Sequence, residues 1–157
     1  MTVDDLEAYG ITRMSDDEID RYLSNRVIGV LGLPTEDAPY LLPMSYTFDD
    51  DRLYFTFLGD DDSRKARASD RADAASFLVY SAETMFNWRS VLLTGTIERV
   101  PESESAAVAD AMDTAWRPEA FARAGREKPT TVHRFRIGSR DGIKHTGLPP
   151  GFEPRED

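Results

Sequence analysis

A chain of 157 residues with 40% hydrophobic and 31% charged residues is long enough for one soluble domain with its own core, over residues 1–157. The formal net charge of −10 argues against nucleic acid as a main partner, and the absence of cysteine excludes disulfides, thiolate metal sites and cysteine catalysis. No apolar run approaches the ~18 residues that span a bilayer. The acidic N-terminus lacks a signal peptide's apolar segment, so we expect no membrane partner and a cytoplasmic location.

The charged residues are unusually distributed among the residue types. Three lysines (Lys65, Lys128 and Lys144) stand against sixteen arginines, and aspartate outnumbers glutamate. One interpretation is an ordinary acidic protein. The other, which we favour, is a cytoplasm of very high salt, where charge repulsion is screened within a few Å and an acidic surface stays solvated.

The first part of the chain predicts one helix and one buried strand. Residues 1–14 are polar with scattered apolar positions, which predicts a loose arm. Ser15-Asp16-Asp17-Glu18 has the Ser-x-x-Glu spacing of a capping box, so we expect a helix from about Asp16 to Ser24. Residues 26–33 are apolar and partly β-branched, as in a strand of a buried sheet, and the proline-flanked segment 34–39 predicts a hairpin loop.

The next elements predict an antiparallel pair. A strand over 40–48 contains Pro43, which favours a sheet edge or a bulge because proline cannot donate a ladder hydrogen bond. Three aspartates at 49–51 turn the chain, and a strand over 53–58 returns. Its alternation places three apolar side chains on one face: Leu53, Phe55 and Phe57.

Later elements complete a barrel-like pattern. Gly95 lies within a predicted long strand, where a barrel strand bends sharply. The remaining predicted elements are a loop over 59–62, a helix beginning at Ser63, strands over 75–80 and 88–100 joined by a loop over 81–87, helices over 102–116 and 118–125, and a strand over 131–137 followed by a tail. Hairpin strands with helices only early and late favour an α+β fold with an antiparallel barrel core.

Local motifs for several kinds of chemistry are missing from the sequence. The two histidines, His133 and His145, lack metal-ligand spacing, so we predict no metal site. The aspartate runs at 49–51 and 60–62 lack the spacing of a calcium loop and are interpreted as solvated turns. No Walker loop, Gly-x-Gly-x-x-Gly motif or local hydrolase triad occurs, and the catalytic residues stay unknown.

Ser63-Arg64-Lys65 is the most informative triplet. A capping hydroxyl, free helix N–H groups and two cations form a good site for a phosphate monoester. In isolation, the same triplet would be an ordinary solvated helix start. Here it follows an aromatic strand and uses one of only three lysines, which favours phosphate binding.

Trp88-Arg89-Ser90-Val91 opens the predicted long strand. Trp88 would line one side of a pocket, and Ser90 would hydrogen-bond the edge of a heterocycle. The alternative, with Trp88 in the core and Arg89 on the surface, is equally compatible with the pattern.

Taken together, these segments resemble the pyridoxamine 5′-phosphate oxidase-like FMN-binding split barrels, over about residues 16–100. The motifs that carry the resemblance are Val30-Leu31-Gly32-Leu33, Pro43-Met44-Ser45-Tyr46, Leu53-Tyr54-Phe55-Thr56, Ser63-Arg64-Lys65, Trp88-Arg89-Ser90-Val91 and Gly95. The resemblance implies an antiparallel split β-barrel with peripheral helices, and a homodimer that binds two FMN molecules at the subunit interface.

The resemblance also implies roles for particular residues. Ser63, Arg64 and Lys65 would bind the FMN phosphate, and the Phe55-Thr56 pair would meet the ribityl chain and phosphate. The backbone around Met44 and Ser45 would line the isoalloxazine ring. The remaining two cofactor-binding positions are Trp88 and Ser90, and Ser90 would contact the cofactor, often that of the other subunit.

Departures from the family pattern narrow the expected activity. The strand before the turn reads Leu41-Leu42-Pro43-Met44-Ser45 where the true oxidase has an Arg and a Lys, and residues 130–157 lack its Trp-Gly-Gly and Arg-x-His signatures. We therefore expect an FMN-dependent oxidoreductase acting on a small molecule, with NAD(P)H as one candidate electron donor, and not pyridoxamine phosphate oxidation. The alternatives are a non-catalytic flavin, haem or deazaflavin binding or sensing protein, and a dimer that has lost its cofactor.

Overall fold

The computed structural model describes residue 2 and residues 4–58, 74–104, 106–108 and 130–147. Most of this part of the chain is β-strand. The elements in order are a 3₁₀ helix (Asp4–Tyr9), β1 (Ile11–Arg13), α1 (Asp16–Ser24), β2 (Ile28–Leu33), β3 (Tyr40–Ser45), β4 (Thr47–Asp49), β5 (Arg52–Leu58), β6 (Ala74–Thr84), β7 (Asn87–Arg99), a 3₁₀ turn (Glu102–Glu104) and β8 (Thr130–Thr146).

The strands form one antiparallel sheet that curls until its ends meet. The order is β3-β2-β6-β7-β8-β5-β4, with β1 added to β8. β3 and β4 lie at opposite ends of this order, yet only Tyr46 separates them in the chain. The sheet must therefore curl into a barrel, which confirms the predicted split β-barrel. Pro43 lies on β3 at the end of the sheet order, as its lack of an N–H donor predicts.

Tyr46 stabilises this junction. Its backbone N–H donates to the Val27 carbonyl at 3.0 Å, and its hydroxyl donates to the Leu23 carbonyl at 2.7 Å. Its ring meets the Phe77 ring edge-on, with the centroids 5.3 Å apart. Burial raises the pKa of the Tyr46 hydroxyl far above its ordinary value, so the hydroxyl remains a neutral donor.

The barrel interior is filled by aromatic and aliphatic side chains. Phe55 lies at its centre, with its ring centroid 5.1 Å from that of Phe77 and 6.4 Å from that of Phe135. The alternation predicted for β5 is confirmed, because three side chains of this strand are almost fully buried: Leu53, Phe55 and Phe57.

α1 closes one end of the barrel. Its capping box is formed, since the Ser15 hydroxyl accepts a hydrogen bond from the Glu18 backbone N–H at 3.2 Å. Ile19 packs directly on Gly142 of β8, where an added Cβ would lie 2.8 Å from the Ile19 side chain. Only a glycine at this position lets the helix pack so closely. Ion pairs from Glu18 to Lys144 and from Asp20 to Arg140 flank the contact.

Three predictions at the ends of elements were wrong. The loose arm over 1–14 contains a 3₁₀ helix and the strand β1, which pairs with β8. The loop over 81–87 is mostly strand, because β6 extends to Thr84 and β7 begins at Asn87. The last strand continues nine residues beyond Ile137, to Thr146.

The error at Ile137 has a physical cause. The register of β7 against β8 shifts between Thr94 and Gly95, which leaves Gly138 unpaired as a bulge. A bulge exchanges the faces toward which alternate side chains point. The period-2 pattern of β8 therefore breaks at residue 138, although the strand does not.

Gly95 lies opposite this bulge. A Cβ built at Gly95 would lie 1.9 Å from the Arg136 carbonyl oxygen, a distance that no side chain tolerates. The sequence predicts a sharp bend at Gly95, and the structure shows a register shift and a close backbone approach at this residue.

The predicted helices fare differently. The helix over 102–116 begins as a 3₁₀ turn at Glu102–Glu104, residues 106–108 are helical, and residues 105 and 109–116 lie outside the described residues. The helices predicted from Ser63 and over 118–125 also lie outside them.

Candidate functional site

The outer surface of the sheet carries apolar side chains in two neighbouring rows. In one row, Leu78 of β6 pairs with Val30 of β2 and with Leu92 of β7. In the next row, Ser90 of β7 pairs with Tyr80 of β6 and Ile143 of β8. Ile28 lies two residues before Val30 and so points to the same side. We call this surface the outer apolar face: Ile28, Val30, Leu78, Tyr80, Leu92 and Ile143.

Three of these side chains are strongly exposed. Ile28 is 59%, Tyr80 61% and Leu92 43% accessible. Exposed apolar residues are ordinary when scattered, whereas a contiguous patch on a sheet marks a surface for a partner or a ligand. This patch was missed by the sequence analysis. The uninterrupted apolar run Phe77-Leu78-Val79-Tyr80 could have revealed it, because such a run is apolar on both faces of a strand.

Two of the predicted cofactor-binding residues lie on the outer apolar face. Ser45 pairs with Ile28, and Ser90 lies between Tyr80 and Ile143. Their hydroxyls thus point to the same side of the sheet as the apolar rows. Chemically, the surface offers an apolar platform with hydroxyl groups in it, which suits a flat, polar-edged ring system.

Trp88 lies on the same side of β7, two residues from Ser90. It pairs with His145, and the two rings are nearly parallel with centroids 6.3 Å apart. Trp88 is half-buried, so it is neither a core residue nor a free surface residue. It forms one boundary of the outer apolar face.

The side chains of Met44 and Phe55 point the other way. Met44 is 8% and Phe55 0% accessible, and both belong to the barrel core. Any contact between these two residues and a ligand outside the barrel must therefore come from their backbone atoms.

Thr56 is the exception among the predicted residues on β5. Its Oγ1 is buried, yet it has no hydrogen-bond partner within the described part of the chain. A buried hydroxyl without a partner costs roughly 1–3 kcal/mol, so the Thr56 hydroxyl needs a partner from outside the described residues. Thr56 lies two residues before the end of β5, and the chain continues from there toward 63–65. The predicted phosphate-binding residues Ser63, Arg64 and Lys65 themselves lie outside the described residues.

Neither His133 nor His145 has a side chain exposed to an external ligand. His133 is 1% accessible, and its ring stacks on Phe57 with centroids 4.4 Å apart. His145 has Nδ1 2.6 Å from the Phe86 carbonyl oxygen and Nε2 2.8 Å from that of Tyr9. These contacts join the N-terminal 3₁₀ helix to the β6–β7 turn, which gives His145 a structural role. The described ranges contain no group of three or more potential metal ligands.

A second part of the outer surface is covered by the chain itself. Tyr54, Val100, Val108 and Val132 pack together there. Beside them, the buried Arg134 side chain contacts Glu98 at 2.8 Å and Glu104 at 3.2 Å.

Arg136 also contacts Glu98, at 3.0 Å. Hydrogen bonds from Arg134 and then Arg136 lower the pKa of the Glu98 carboxyl below its ordinary value. This region is a structural ion-pair network.

The architecture is that of an antiparallel split barrel, and the comparisons with known proteins agree. A family model described as pyridoxamine 5′-phosphate oxidase matches residues 15–144. The chain therefore belongs to the pyridoxamine 5′-phosphate oxidase family. No protein with a curated description matches it.

Solved structures share this fold. An FAD-binding protein from Mesorhizobium loti superposes with a TM-score of 0.70 at 18% identity, covering 87% of this chain and 98% of that one. A conserved hypothetical protein from Mycobacterium tuberculosis gives 0.68 at 23% identity, with 89% and 91% covered. An FAD and haem binding protein from Mycobacterium smegmatis gives 0.67 at 19% identity, with 89% and 75% covered. Among the described residues, no helix is long and apolar enough to cross a membrane.

Proposed function

We propose that this protein is a flavoprotein that binds FMN against the outer apolar face of its barrel. The observation that carries the proposal is the family match over residues 15–144. The chain's own support is the buried Oγ1 of Thr56, which has no partner among the described residues, together with the hydroxyls of Ser45 and Ser90 on an exposed apolar surface.

We further propose that the single domain forms a homodimer through this face. Three large apolar side chains exposed by 43–61% in adjacent rows are costly in a soluble monomer: Ile28, Tyr80 and Leu92. A second copy would cover them with the same surface, as in an isologous two-fold interface. The cofactor would then lie where both copies contribute side chains.

Residues of this chain would hold the cofactor as follows. Ser63, Arg64 and Lys65 would bind the phosphate, with Thr56 completing that end from β5. The backbone at Met44 and Phe55, and the Ser45 hydroxyl, would line the ring and ribityl chain. Trp88 would border the ring, and Ser90 would hydrogen-bond its edge. A bound flavin would supply hydride and electron transfer, so no acid or base from the protein is required.

The reaction class that fits is oxidation or reduction of a small molecule, with NAD(P)H as the candidate electron donor. Pyridoxamine phosphate itself is disfavoured as a substrate, because β3 reads Leu41-Leu42-Pro43-Met44-Ser45 and lacks the oxidase's arginine and lysine. The haem alternative would need an axial histidine. His133 is buried against Phe57, and both ring nitrogens of His145 face carbonyl oxygens. A deazaflavin remains the second candidate cofactor, because it is flat and carries a phosphate in the same way.

The cofactor is tested by titrating purified protein with FMN, FAD and a deazaflavin, following flavin fluorescence. We expect FMN to bind most tightly. The double change Arg64→Ala and Lys65→Ala should weaken FMN binding by several kcal/mol, since charge-assisted bonds contribute roughly 1.5–3 kcal/mol each. An unchanged dissociation constant would remove the phosphate assignment.

The Thr56 hydroxyl allows a sharper test. Thr56→Val keeps the shape of the side chain but removes Oγ1. We expect FMN affinity to fall about tenfold, because a hydrogen bond contributes roughly 1 kcal/mol or more, while the free protein is not destabilised. Thr96→Val, on the exposed side of β7, is the matched control and should leave affinity unchanged. Unchanged affinity for FMN in Thr56→Val would assign its hydroxyl no role in the site.

Turnover is tested separately from binding. Anaerobic mixing of the FMN-loaded protein with NADH or NADPH should bleach the flavin absorbance if the protein is an oxidoreductase. Bound flavin that no nicotinamide donor reduces would favour a storage or sensing protein.

A further inference from the structure

A cavity of about 540 Å³ lies between α1 and the start of β7. It is separate from the outer apolar face, because Arg89 points to the same side of β7 as the core residues Val91 and Leu93, whereas Ser90 and Leu92 point outward. The residues that line it are Met14, Glu18, Arg21, Tyr22, Asn25, Arg26 and Arg89. It opens to solvent along the exposed side chains of Arg21, Asn25 and Arg26.

Three of the lining side chains are arginines without a carboxylate partner among the described residues. Arg21 donates its Nε to the Asp17 carbonyl oxygen, at 3.4 Å, which leaves its terminal nitrogens available. Arg26 lies over the Tyr22 ring, 5.1 Å from the centroid. Arg89 makes no ion pair within the part of the chain that the structure describes. The one lining carboxylate, Glu18, is engaged by Lys144.

This arrangement is unexpected for the composition. With 29 acidic and 19 basic residues, carboxylates are in excess, and an arginine on such a surface finds a partner easily. Three guanidinium groups around one cavity repel one another unless an anion lies between them. Arg21 also complements the C-terminal dipole of α1, but Arg89 comes from a different element and gains nothing from that dipole.

Neighbouring contacts hold the cavity in shape. The Tyr22 hydroxyl donates to Ser81 Oγ at 2.9 Å, which fixes the ring on which Arg26 rests. The Asn25 side-chain amide donates to the Arg21 carbonyl at 2.8 Å at the end of α1. The cations are therefore partly pre-organised, which reduces the entropic cost of binding a ligand.

We propose that this cavity binds a small phosphate-bearing molecule, separately from the flavin. Guanidinium groups bind phosphate oxygens in pairs, with a geometry that lysine cannot match. Arg26 and Arg89 contact the phosphate from two sides and Arg21 from the helix end, while Met14 and Tyr22 offer apolar contact to the remainder of the ligand. The inference does not depend on the proposed flavin binding.

The test uses inorganic pyrophosphate as the probe, at constant KCl concentration and with saturating FMN present. Isothermal titration calorimetry on the wild-type protein should show one saturable site per chain. Arg89→Gln should weaken pyrophosphate binding at least about tenfold, as expected for a lost charge-assisted bond. Arg99→Gln, at the far end of the same strand and with the same change in charge, is the matched control and should stay within about twofold.

Two outcomes would overturn the proposal. One is no saturable binding to wild-type protein. The other is equal weakening by Arg89→Gln and Arg99→Gln, which would show a general effect of charge. The FMN dissociation constant of Arg89→Gln separates this inference from the proposed function. It should be unchanged, and an equal loss of FMN affinity would assign the cavity to the flavin site.

Discussion

The two halves of the β7–β8 ladder share the same strands but carry opposite kinds of outer surface. On β7 before Gly95, the outward side chains include Trp88, Ser90 and Leu92, and Leu92 is 43% accessible. After the bulge, the outward Glu98 of β7 meets Arg134 of β8, and the apolar side chains beside this pair are buried. One half is left open and the other is covered by the chain itself.

The covered half contributes to the stability of the folded chain, whereas the open half carries the surface that we propose for binding. In the covered half, Arg134 is only 7% accessible and is neutralised by Glu98 and Glu104, as a folded monomer requires of a buried charge. In the open half, apolar area remains in water with no gain to the monomer. The open half is therefore the surface on which we propose that the second copy and the cofactor bind.

The boundary between the halves should be the most sensitive point. Gly95→Ala would place a Cβ 1.9 Å from the Arg136 carbonyl oxygen. We expect destabilisation of about 3 kcal/mol or more, because backbone must move to relieve the clash. Gly138→Ala is the matched control, since its nearest contact would be an ordinary 3.4 Å to the Thr94 carbonyl oxygen. Urea unfolding measures both, and equal effects would contradict the close approach at Gly95.

The open half is tested by Leu92→Glu. A charge in the centre of the outer apolar face should weaken a homodimer by about 100-fold or more, because each copy would bury a carboxylate. Met85→Glu introduces the same charge at a 77% accessible residue in the β6–β7 turn and should leave the dimer intact. Sedimentation equilibrium gives the dissociation constants. A wild-type monomer at micromolar concentration would remove the proposed interface.

The salt concentration should change the stability of the whole chain. With a net charge of −10, raising KCl from low to molar concentration should raise the melting temperature by several degrees, because repulsion between carboxylates is screened. Differential scanning calorimetry measures the change. A melting temperature that falls over this range would exclude the high-salt interpretation.

The ion-pair network should give the smallest effect, and one that depends on pH. Hydrogen bonds from Arg134 and then Arg136 hold the pKa of Glu98 below its ordinary value in the folded state. Its contribution to stability is thus present above the ordinary glutamate pKa of about 4.3 and is lost as the pH falls through the lower folded value. Because Glu98 is 48% accessible, we expect Glu98→Gln to cost only a few tenths to about 1 kcal/mol near neutral pH.

The measurement is the free energy of unfolding of both proteins from pH 7 to pH 3. The difference between wild type and Glu98→Gln should shrink toward the acidic end. Glu36→Gln, in the exposed loop before β3, should show no such trend. A difference that stays constant with pH would mean that the carboxylate charge of Glu98 contributes nothing.

The sequence predicted the elements whose patterns are local. The capping box at Ser15 and the alternation of β5 both depend on neighbours within a few residues. The end of β8 and the strand β1 were missed, because the first lies beyond a bulge and the second exists only by pairing with His145 and its neighbours.

Some residues of the candidate sites could likewise be recognised from the sequence and others could not. A hydroxyl and two cations in the order Ser63-Arg64-Lys65 can be recognised from the residues alone, and so can the resemblance to a flavin-binding family. The triplet Arg21, Arg26 and Arg89 could not be recognised, since Arg26 and Arg89 are 63 positions apart in the sequence and only the packing of α1 on the barrel brings them to one cavity.

By itself the sequence determined an acidic, cysteine-free α+β chain with antiparallel strands and a family pattern, because composition and side-chain periodicity are properties of short segments. Only the tertiary structure decided which apolar side chains stay outside. Leu78 and Val79 are equally apolar in sequence, yet Val79 is 1% accessible in the core and Leu78 lies on the outer apolar face. The curl of the sheet at Tyr46 determines which side chains are buried, because it closes one face of the sheet around the core and leaves the other face outside.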